Sequence, residues 1–274
     1  MENFKLENYL KRIGFNGQAE PNLATLSTIQ NLHTRAIPFE NLNPFSGIQV
    51  NLAPEAIQEK LVDSARGGYC FEQNQLLQFA LQKIGYQVSG LAARVIVGQP
   101  LDAHSPYTHM MLRVEIDGHT YIADVGFGSM SLTAPLLLEP DLVQITPHGP
   151  YRIVRTGSFY RVESSVAGNW QALYKFDLEH HQSADYEMMN WFTSCHPASK
   201  FTNTLIAART FAGGRYTLRN FEFNTHYVDR PSVKNELETP ADVSRVLQDI
   251  FLLDLTGLEK LEERIEILFE EKVG

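Results

Sequence analysis

A chain of 274 residues, 43% hydrophobic and 20% charged, has the composition of a globular protein long enough to bury a real core, neither disordered nor membrane-spanning. Its net charge of −9, with 23 basic against 32 acidic side chains and no basic cluster, argues against a nucleic-acid surface; an anionic ligand would need local donors such as helix N-termini or loop amides. The longest apolar runs, Ala134–Leu138 and Ile250–Leu253, fall far short of the ~20 residues that cross a bilayer.

The first segment, MENFKLENYLKRIGF, has a helical period and early acids, without the charged lead and long apolar block of a signal peptide. With that signal absent and only Cys70 and Cys195 present, two free thiols in a reducing cytoplasm are expected. Next, Glu20–Ala36 sets Leu23, Leu26, Ile29 and Leu32 on roughly one helical face. Ala53–Ala65 begins with Pro54, suited to a first turn, and stops at Gly67-Gly68. A third helix over Phe71–Tyr86 carries Gln73, Leu77, Ala80 and Ile84 in a stripe, with Leu76 and Leu81 alongside, and ends at Gly85.

From Tyr86 the period changes to two. Tyr86–Gly98, Tyr107–Ile116, His119–Gly128, Tyr151–Thr156, Phe159–Ser165 and Trp170–Leu178 read as short strands separated by Asp-Gly, Thr-Gly and Ala-Gly-Asn turn signals. Such a series predicts an antiparallel sheet or small barrel. Thr204–Thr210 and Arg215–Phe223 read as further strands, followed by amphipathic helices near Pro240–Phe251 and Glu259–Glu271. No internal repeat or low-complexity linker divides the chain, so its segments are expected to pack as one body.

Cys70 lies in RGGYCFEQN, Arg66 to Asn74, between a double glycine and a predicted helix start. There the sulfur would sit by free first-turn amides and the positive end of the helix, a location that favours the thiolate. The glycines would let the backbone turn sharply and leave room for a substrate to approach. A small buried hydrophobe beside a helix stop fits the same pattern, since cysteines are often buried.

A nucleophile needs a base, and the base an orienting group. Asp117-Gly118 is a strong two-residue hairpin signal; with those two as the loop, Ile116 faces His119, and His109 and Asp124 project from one face as diagonal neighbours. Met110, Leu112, Val114 and Ile116 would then face the core with Tyr121, Ala123 and Val125, and Gly126 would expose its backbone beside the imidazole and carboxylate. A three-residue loop, Ile116–Gly118, would reverse the parity and separate His109 from Asp124.

Other motifs say less. Cys195 has His196 beside it, but as neighbours on a strand they would point to opposite faces, so Cys195 reads as a packed or incidental thiol. His180-His181 lacks partners at metal-ligand spacing, and no metal is expected. Gly126–Met130 lacks the longer dinucleotide fingerprint, and no serine-hydrolase elbow is present.

Several stretches together carry a resemblance: IPFENL (Ile37–Leu42), RGGYCFEQN, THMML (Thr108–Leu112), ADVGFG (Ala123–Gly128) and TPHGPYR (Thr146–Arg152). They look like the arylamine N-acetyltransferases, most clearly in the first two thirds of the chain. The resemblance implies an α+β fold with a cysteine-protease- or transglutaminase-like catalytic core. Its parts would be a helical bundle over 1–86, an antiparallel β-barrel over 87–190 and an α/β lid over 191–274. It also implies a triad, which by motif falls on Cys70, His109 and Asp124, the residues the hairpin parity selects.

By the same resemblance Phe127, Val95 and Phe201 line an amine pocket, and Thr108 and Gly126 border a coenzyme groove beneath the lid. Ser129-Met130-Ser131 stands where some relatives carry bulky or basic residues, which leaves amine selectivity open. The chain resembles the bacterial type, without the vertebrate insertion after the barrel. The implied reaction is ping-pong transfer of an acetyl group from acetyl-CoA, as acyl-donor co-substrate, through a Cys70 thioester to an arylamine or hydrazine, with no metal, nucleic acid or membrane involved. Arg66 reads as structural or electrostatic support rather than a proton donor, and Glu40 and Asn41 either as braces for the cysteine loop or as a helix stop. Two alternatives share these residues: a papain- or transglutaminase-like hydrolase, and a non-catalytic binder of coenzyme A or an aromatic ligand.

Overall fold

The computed structural model describes residues 4–273; Met1, Glu2 and Asn3 of the expected first helix lie outside them. Helix α1 (Leu6–Ile13) is closed by left-handed Gly14, and α2 (Leu23–Ala36) is capped by the Asn22 side chain, which accepts from the Thr25 amide at 2.9 Å. The buried face of α2 runs through Leu26, Ile29, Gln30 and His33, while Leu23, expected inside, is 39% exposed. A two-residue strand, β1 (Phe39–Glu40), leads into the short α3 (Leu42–Phe45). The single helix expected over Ala53–Ala65 is α4 (Pro54–Gln58), widened into a π turn at Glu59–Asp63 and stopped by left-handed Ala65. Helix α5 (Cys70–Ile84) ends at Gly85, whose φ of 106° suits a residue without a Cβ.

The barrel comprises β2 (Gln87–Val95), β3 (Tyr107–Ile116), β4 (His119–Ala123), β5 (Leu136–Leu137), β6 (Gln144–Thr146), β7 (Gly149–Thr156), β8 (Phe159–Val166) and β9 (Asn169–Phe176). They form one eight-stranded antiparallel sheet in the order β5-β4-β3-β2-β9-β8-β7-β6, whose ends approach where Pro140 bridges Ile153. The alternation of β3 serves two cores. Met110, Leu112, Val114 and Ile116 pack with Leu76, Leu77 and Ala80 of α5, whereas Met111 joins Leu91, Ile122 and Phe176 inside the barrel.

The last third holds α6 (Ser183–Cys195), α7 (Lys200–Asn203), β10 (Ile206–Phe211), β11 (Gly214–Arg219), β12 (Glu222–Tyr227), β13 (Val233–Glu236), α8 (Pro240–Asp249) and α9 (Glu259–Val273). The strand expected over Arg215–Phe223 is a hairpin: Asn220, at φ 52°, turns β11 into β12. Cys195 ends α6 instead of lying on a strand, so the opposite-face argument applied to it does not hold. The second sheet runs β1-β10-β11-β12-β13, so its first strand comes from the N-terminal third. Leu42 and Phe45 of α3 likewise complete the core beneath α8 and α9, with Leu218, Val243, Leu247 and Ile265.

Candidate active site

The loop before Cys70 is built around its two glycines. A Cβ on Gly67 would lie 2.2 Å from the Pro38 carbonyl oxygen, and one on Gly68 would lie 2.7 Å from Glu72 Oε2. Both glycines therefore permit close packing against β1 and α5; the room they leave is taken by protein, not by a substrate as the sequence suggests. The Glu40 amide donates to the Gly68 carbonyl at 3.0 Å, and the Gln73 amide group donates to Pro38 at 2.8 Å and Gly68 at 3.1 Å.

Buried charges lock the same loop. Arg66 Nη2 donates to Glu40 Oε1 at 2.9 Å, Lys60 Nζ reaches Glu72 Oε1 at 2.7 Å, and Glu72 Oε2 accepts the Tyr69 amide at 3.0 Å. Burial pushes both carboxyls toward the neutral form. For Glu40 the Lys60 and Arg66 charges outweigh it and hold the carboxyl below its usual range. For Glu72 burial prevails, with the neighbouring Glu40 charge added, and its carboxyl lies above that range.

Cys70 is the first residue of α5, 3% exposed, with its sulfur 3.5 Å from the Thr108 carbonyl of β3. The first intrahelical bond is donated by Gln73 to the Tyr69 carbonyl at 3.0 Å, so Cys70 belongs to the opening turn whose amides have no intrahelical partner.

His109 and Asp124 come from the hairpin. Asp117 and Gly118, at φ 51° and 79°, form a two-residue loop, with Ile116 opposite His119 and Leu112 opposite Ala123. That is the parity expected from Asp-Gly; the three-residue alternative is not adopted. Pairing stops at Ala123, and the freed chain carries Asp124 inward until its Oδ2 lies 2.8 Å from His109 Nε2. Both side chains are buried, His109 at 2% and Asp124 at 0% exposure. Burial alone would lower the His109 pKa, but the charge and hydrogen bond of Asp124, joined by a hydrogen bond and charge from Cys70, raise it to about 10. Burial opposes ionisation of Asp124, yet His109, Asn74 and the Gly126 amide hold its carboxyl below the usual range. With Nε2 on Asp124, the ring's Nδ1 is left for the Cys70 sulfur.

Two residues that the sequence reading passed over complete the site. Asn74, one turn after Cys70, donates to the Met110 carbonyl at 2.7 Å and to Asp124 Oδ1 at 3.0 Å, while its Oδ1 accepts the Val125 amide at 3.0 Å. One buried carboxamide thus ties α5 to the chain after β4 and to β3. Its spacing of four from Cys70, which places both on one helical face, was the available signal. Tyr174 packs against His109 at 4.8 Å between ring centroids; burial and the nearby Asp124 charge raise its pKa well above the usual value.

Gly126 departs from expectation. It is buried, its amide donates to Asp124 Oδ1 at 2.9 Å, and a Cβ there would lie 2.6 Å from Cys70 Cα. Its backbone therefore serves the carboxylate and the helix start and is not laid open to solvent. Phe127 stands edge-on to His109 at 5.0 Å and touches Tyr174 at 4.9 Å. Half-buried Val95 faces Tyr174 across the β2–β9 ladder. Phe201 is apart from these two: it packs on Tyr69 at 5.6 Å and on Phe39 at 6.1 Å, against the residue preceding the cysteine. Among the described residues no group of three or more His, Cys, Asp or Glu is placed to hold a metal, and no helix is long and apolar enough to cross a membrane.

Residues 22–260 match the family model described as N-acetyltransferase. Over 248 residues, 90% of this chain and 88% of the other, the sequence is 40% identical to an arylamine N-acetyltransferase of Escherichia coli. It is 43% identical to that of Mycolicibacterium smegmatis over 225 residues, 81% and 82% of the two chains. The structure of the Mycobacterium marinum arylamine N-acetyltransferase in complex with CoA superposes with a TM-score of 0.92 at 38% identity, covering 96% of this chain and 99% of that one.

Proposed function

The chain belongs to the arylamine N-acetyltransferase family, enzymes that move an acetyl group from acetyl-CoA to an arylamine, and on that premise we propose that Cys70, His109 and Asp124 carry the transfer in two half-reactions. In the first, the Cys70 thiolate attacks the thioester carbonyl. The bond to the coenzyme sulfur breaks, the coenzyme thiolate takes the proton held on His109, and Cys70 keeps the acetyl group. Exchange between two thioesters is nearly thermoneutral, so the acetyl stays activated. In the second, the amine nitrogen attacks the Cys70 thioester and yields its proton to His109, releasing the amide and restoring the thiolate. Asp124 holds the ring in place and stabilises its charge.

Proton transfer of this kind contributes about 10²–10⁴ in rate. The amides that open α5, that of Cys70 among them, are the proposed donors to an oxyanion on the attacked carbonyl. Phe127 and Val95, beside Tyr174 and His109, are proposed walls of the amine pocket, and Phe201 a wall from the lid side. Thr108, whose carbonyl meets the cysteine sulfur, borders the coenzyme's approach, while Gly126 contributes through Asp124. Hydrazines, which share the nucleophilic nitrogen, belong to the proposed substrate range. The bundle (1–86) supplies the thiol, the barrel (87–190) the base and carboxylate, and the lid (191–274) the cover. The proposed residence is cytoplasmic, which suits two free thiols.

The observation that supports this reading most is the 2.8 Å His109–Asp124 contact beside a cysteine at a helix start. Intact-mass measurement after exposure to acetyl-CoA tests it. One acetyl group on Cys70, discharged by an arylamine, is the expected result; coenzyme release with no acetyl on the protein would refute it.

A further inference from the structure

Behind β3, on the side away from the triad, lies a cavity of about 930 Å³. Met110, which lines it, neighbours His109 on the strand and so points to the opposite face. The outer face of α5 forms one wall with Gln75, Gln78 and Gln82, and the start of α6 forms another. Of the described residues that line it, Glu187 alone is formally charged, apart from histidines. No lysine or arginine is present to hold an anion, and one carboxylate is too few to select a cation. Carboxamides dominate the polar surface, and each offers both a donor and an acceptor.

Two buried polar atoms at this cavity have no hydrogen-bond partner among the described residues: Tyr186 Oη and His181 Nε2. Tyr186 is only 6% exposed, and a hydroxyl left unpaired at that depth costs stability that a phenylalanine would not. The fold nevertheless makes room for it. Gly90 of β2 stands where a Cβ would come within 2.6 Å of that hydroxyl. The His181 ring is held between Tyr107 at 5.5 Å and Tyr186 at 6.1 Å. Burial, with the Asp185 charge behind it, raises the Tyr186 pKa, so the hydroxyl keeps its proton and is a donor. Phe79, Val88 and Met110 add an apolar surface to the same cavity.

A fitting ligand is neutral, flat on one side, and carries a carbonyl acceptor for Tyr186 together with an N–H donor for a glutamine oxygen. We propose that this cavity is a second ligand site, separate from the triad, and that it takes neutral aromatic amides, the class to which an acetylated arylamine belongs. The identification of the site rests on geometry alone; the choice of amide rests on the acetyl-transfer reading above.

The test is binding of acetanilide to the full-length protein, followed by NMR of labelled Met110 and Gly90 for the cavity and of Phe127 and Tyr174 for the catalytic site. Saturable shifts at Met110 and Gly90 that persist after Cys70 is blocked with iodoacetamide are expected. Tyr186→Phe should weaken those shifts by about tenfold or more while leaving Cys70 acetylation unchanged. Gln78→Leu, at a half-buried position on the cavity face of α5, should weaken them as well and serves if the first variant fails to fold. Shifts confined to Phe127 and Tyr174, equal affinity in both variants, or tighter binding of adenosine than of acetanilide would each overturn the proposal. Because Cys70 acetylation is measured separately by mass, a failure here is distinguishable from a failure of the acetyl-transfer reading.

Discussion

Replacing Asn74 with alanine tests how far the proposed triad depends on a fully buried side chain that is bonded to Asp124. Alanine is a good helix former, so α5 itself should persist. The change removes the donor to Asp124 Oδ1, the donor to the Met110 carbonyl and the acceptor for the Val125 amide. Two neutral bonds at about 1 kcal/mol each and one to a carboxylate at about 1.5–3 kcal/mol give a loss of roughly 3–5 kcal/mol. Against a typical total of about 5–15 kcal/mol, the variant should remain folded at low temperature with a lowered urea midpoint. The catalytic effect follows from the carboxylate bond alone. Asp124 would retain His109 and the Gly126 amide, but its carboxyl would move back up toward the usual range and hold the imidazolium less firmly. If all of that bond is expressed in the transition state, single-turnover acetylation of Cys70 should slow by about 10- to 100-fold. The alkaline limb of its pH–rate profile should move to lower pH, which a simple loss of stability would not cause. Acetylation within threefold of the parent rate and an unmoved pH profile, in a folded variant, would refute the reasoning.

Other outcomes follow from the same contacts. The His109 pKa is raised, so its contribution to stability is complete below its unfolded value of ~6.5 and is lost as pH rises through about 10; that of Asp124, whose pKa is lowered, is complete above ~3.9 and is lost as pH falls through its folded value. Urea midpoints across pH should show both losses, and Asp124→Asn should bring the alkaline loss to lower pH. Gly126→Ala would place a Cβ 2.6 Å from Cys70 Cα and 2.7 Å from Asn74 Nδ2. It should cost about 1–3 kcal/mol in urea unfolding and suppress acetyl uptake in the mass assay. Arg66→Ala leaves the Glu40 carboxylate with Lys60 at 3.7 Å as its remaining cationic partner. Calorimetry should show a loss of about 3–5 kcal/mol, the usual result of removing one partner from a buried pair.

Much of the site was legible because it rests on local rules. Asp117-Gly118 set the hairpin loop, the loop set the parity, and the parity put His109 and Asp124 on one side of the strand pair. Gly67-Gly68 before a helical stripe marked where Cys70 would begin a helix. What escaped reading depends on contacts distant in the chain. Nothing near Asn74 announces that residues 110, 124 and 125 will converge on its carboxamide. Gly67 suggested open space because its neighbours Pro38 and Glu40 arrive from outside the motif, and Gly68 because the Glu72 side chain folds back over it from the helix. The strand expected over Arg215–Phe223 hid its turn because Asn220 lacks the glycine that commonly marks one.

The small strand β1 has a consequence for the order in which the protein acquires its candidate reactive centre. Phe39 pairs with Ala208 on one side and bridges Gly68 on the other, so the backbone just before Cys70 leans on a strand made late in synthesis. Asn41 adds to this, donating to the carbonyls of Phe201 and Thr204 and accepting from the Ile206 amide. A ribosome that has released only the bundle and the barrel has supplied the thiol, imidazole and carboxylate, but not the edge against which their loop is aligned. On the proposed mechanism the chemistry is thus coupled to completion of the chain: the proposed nucleophile is encoded at residue 70, and its backing arrives more than 130 residues later.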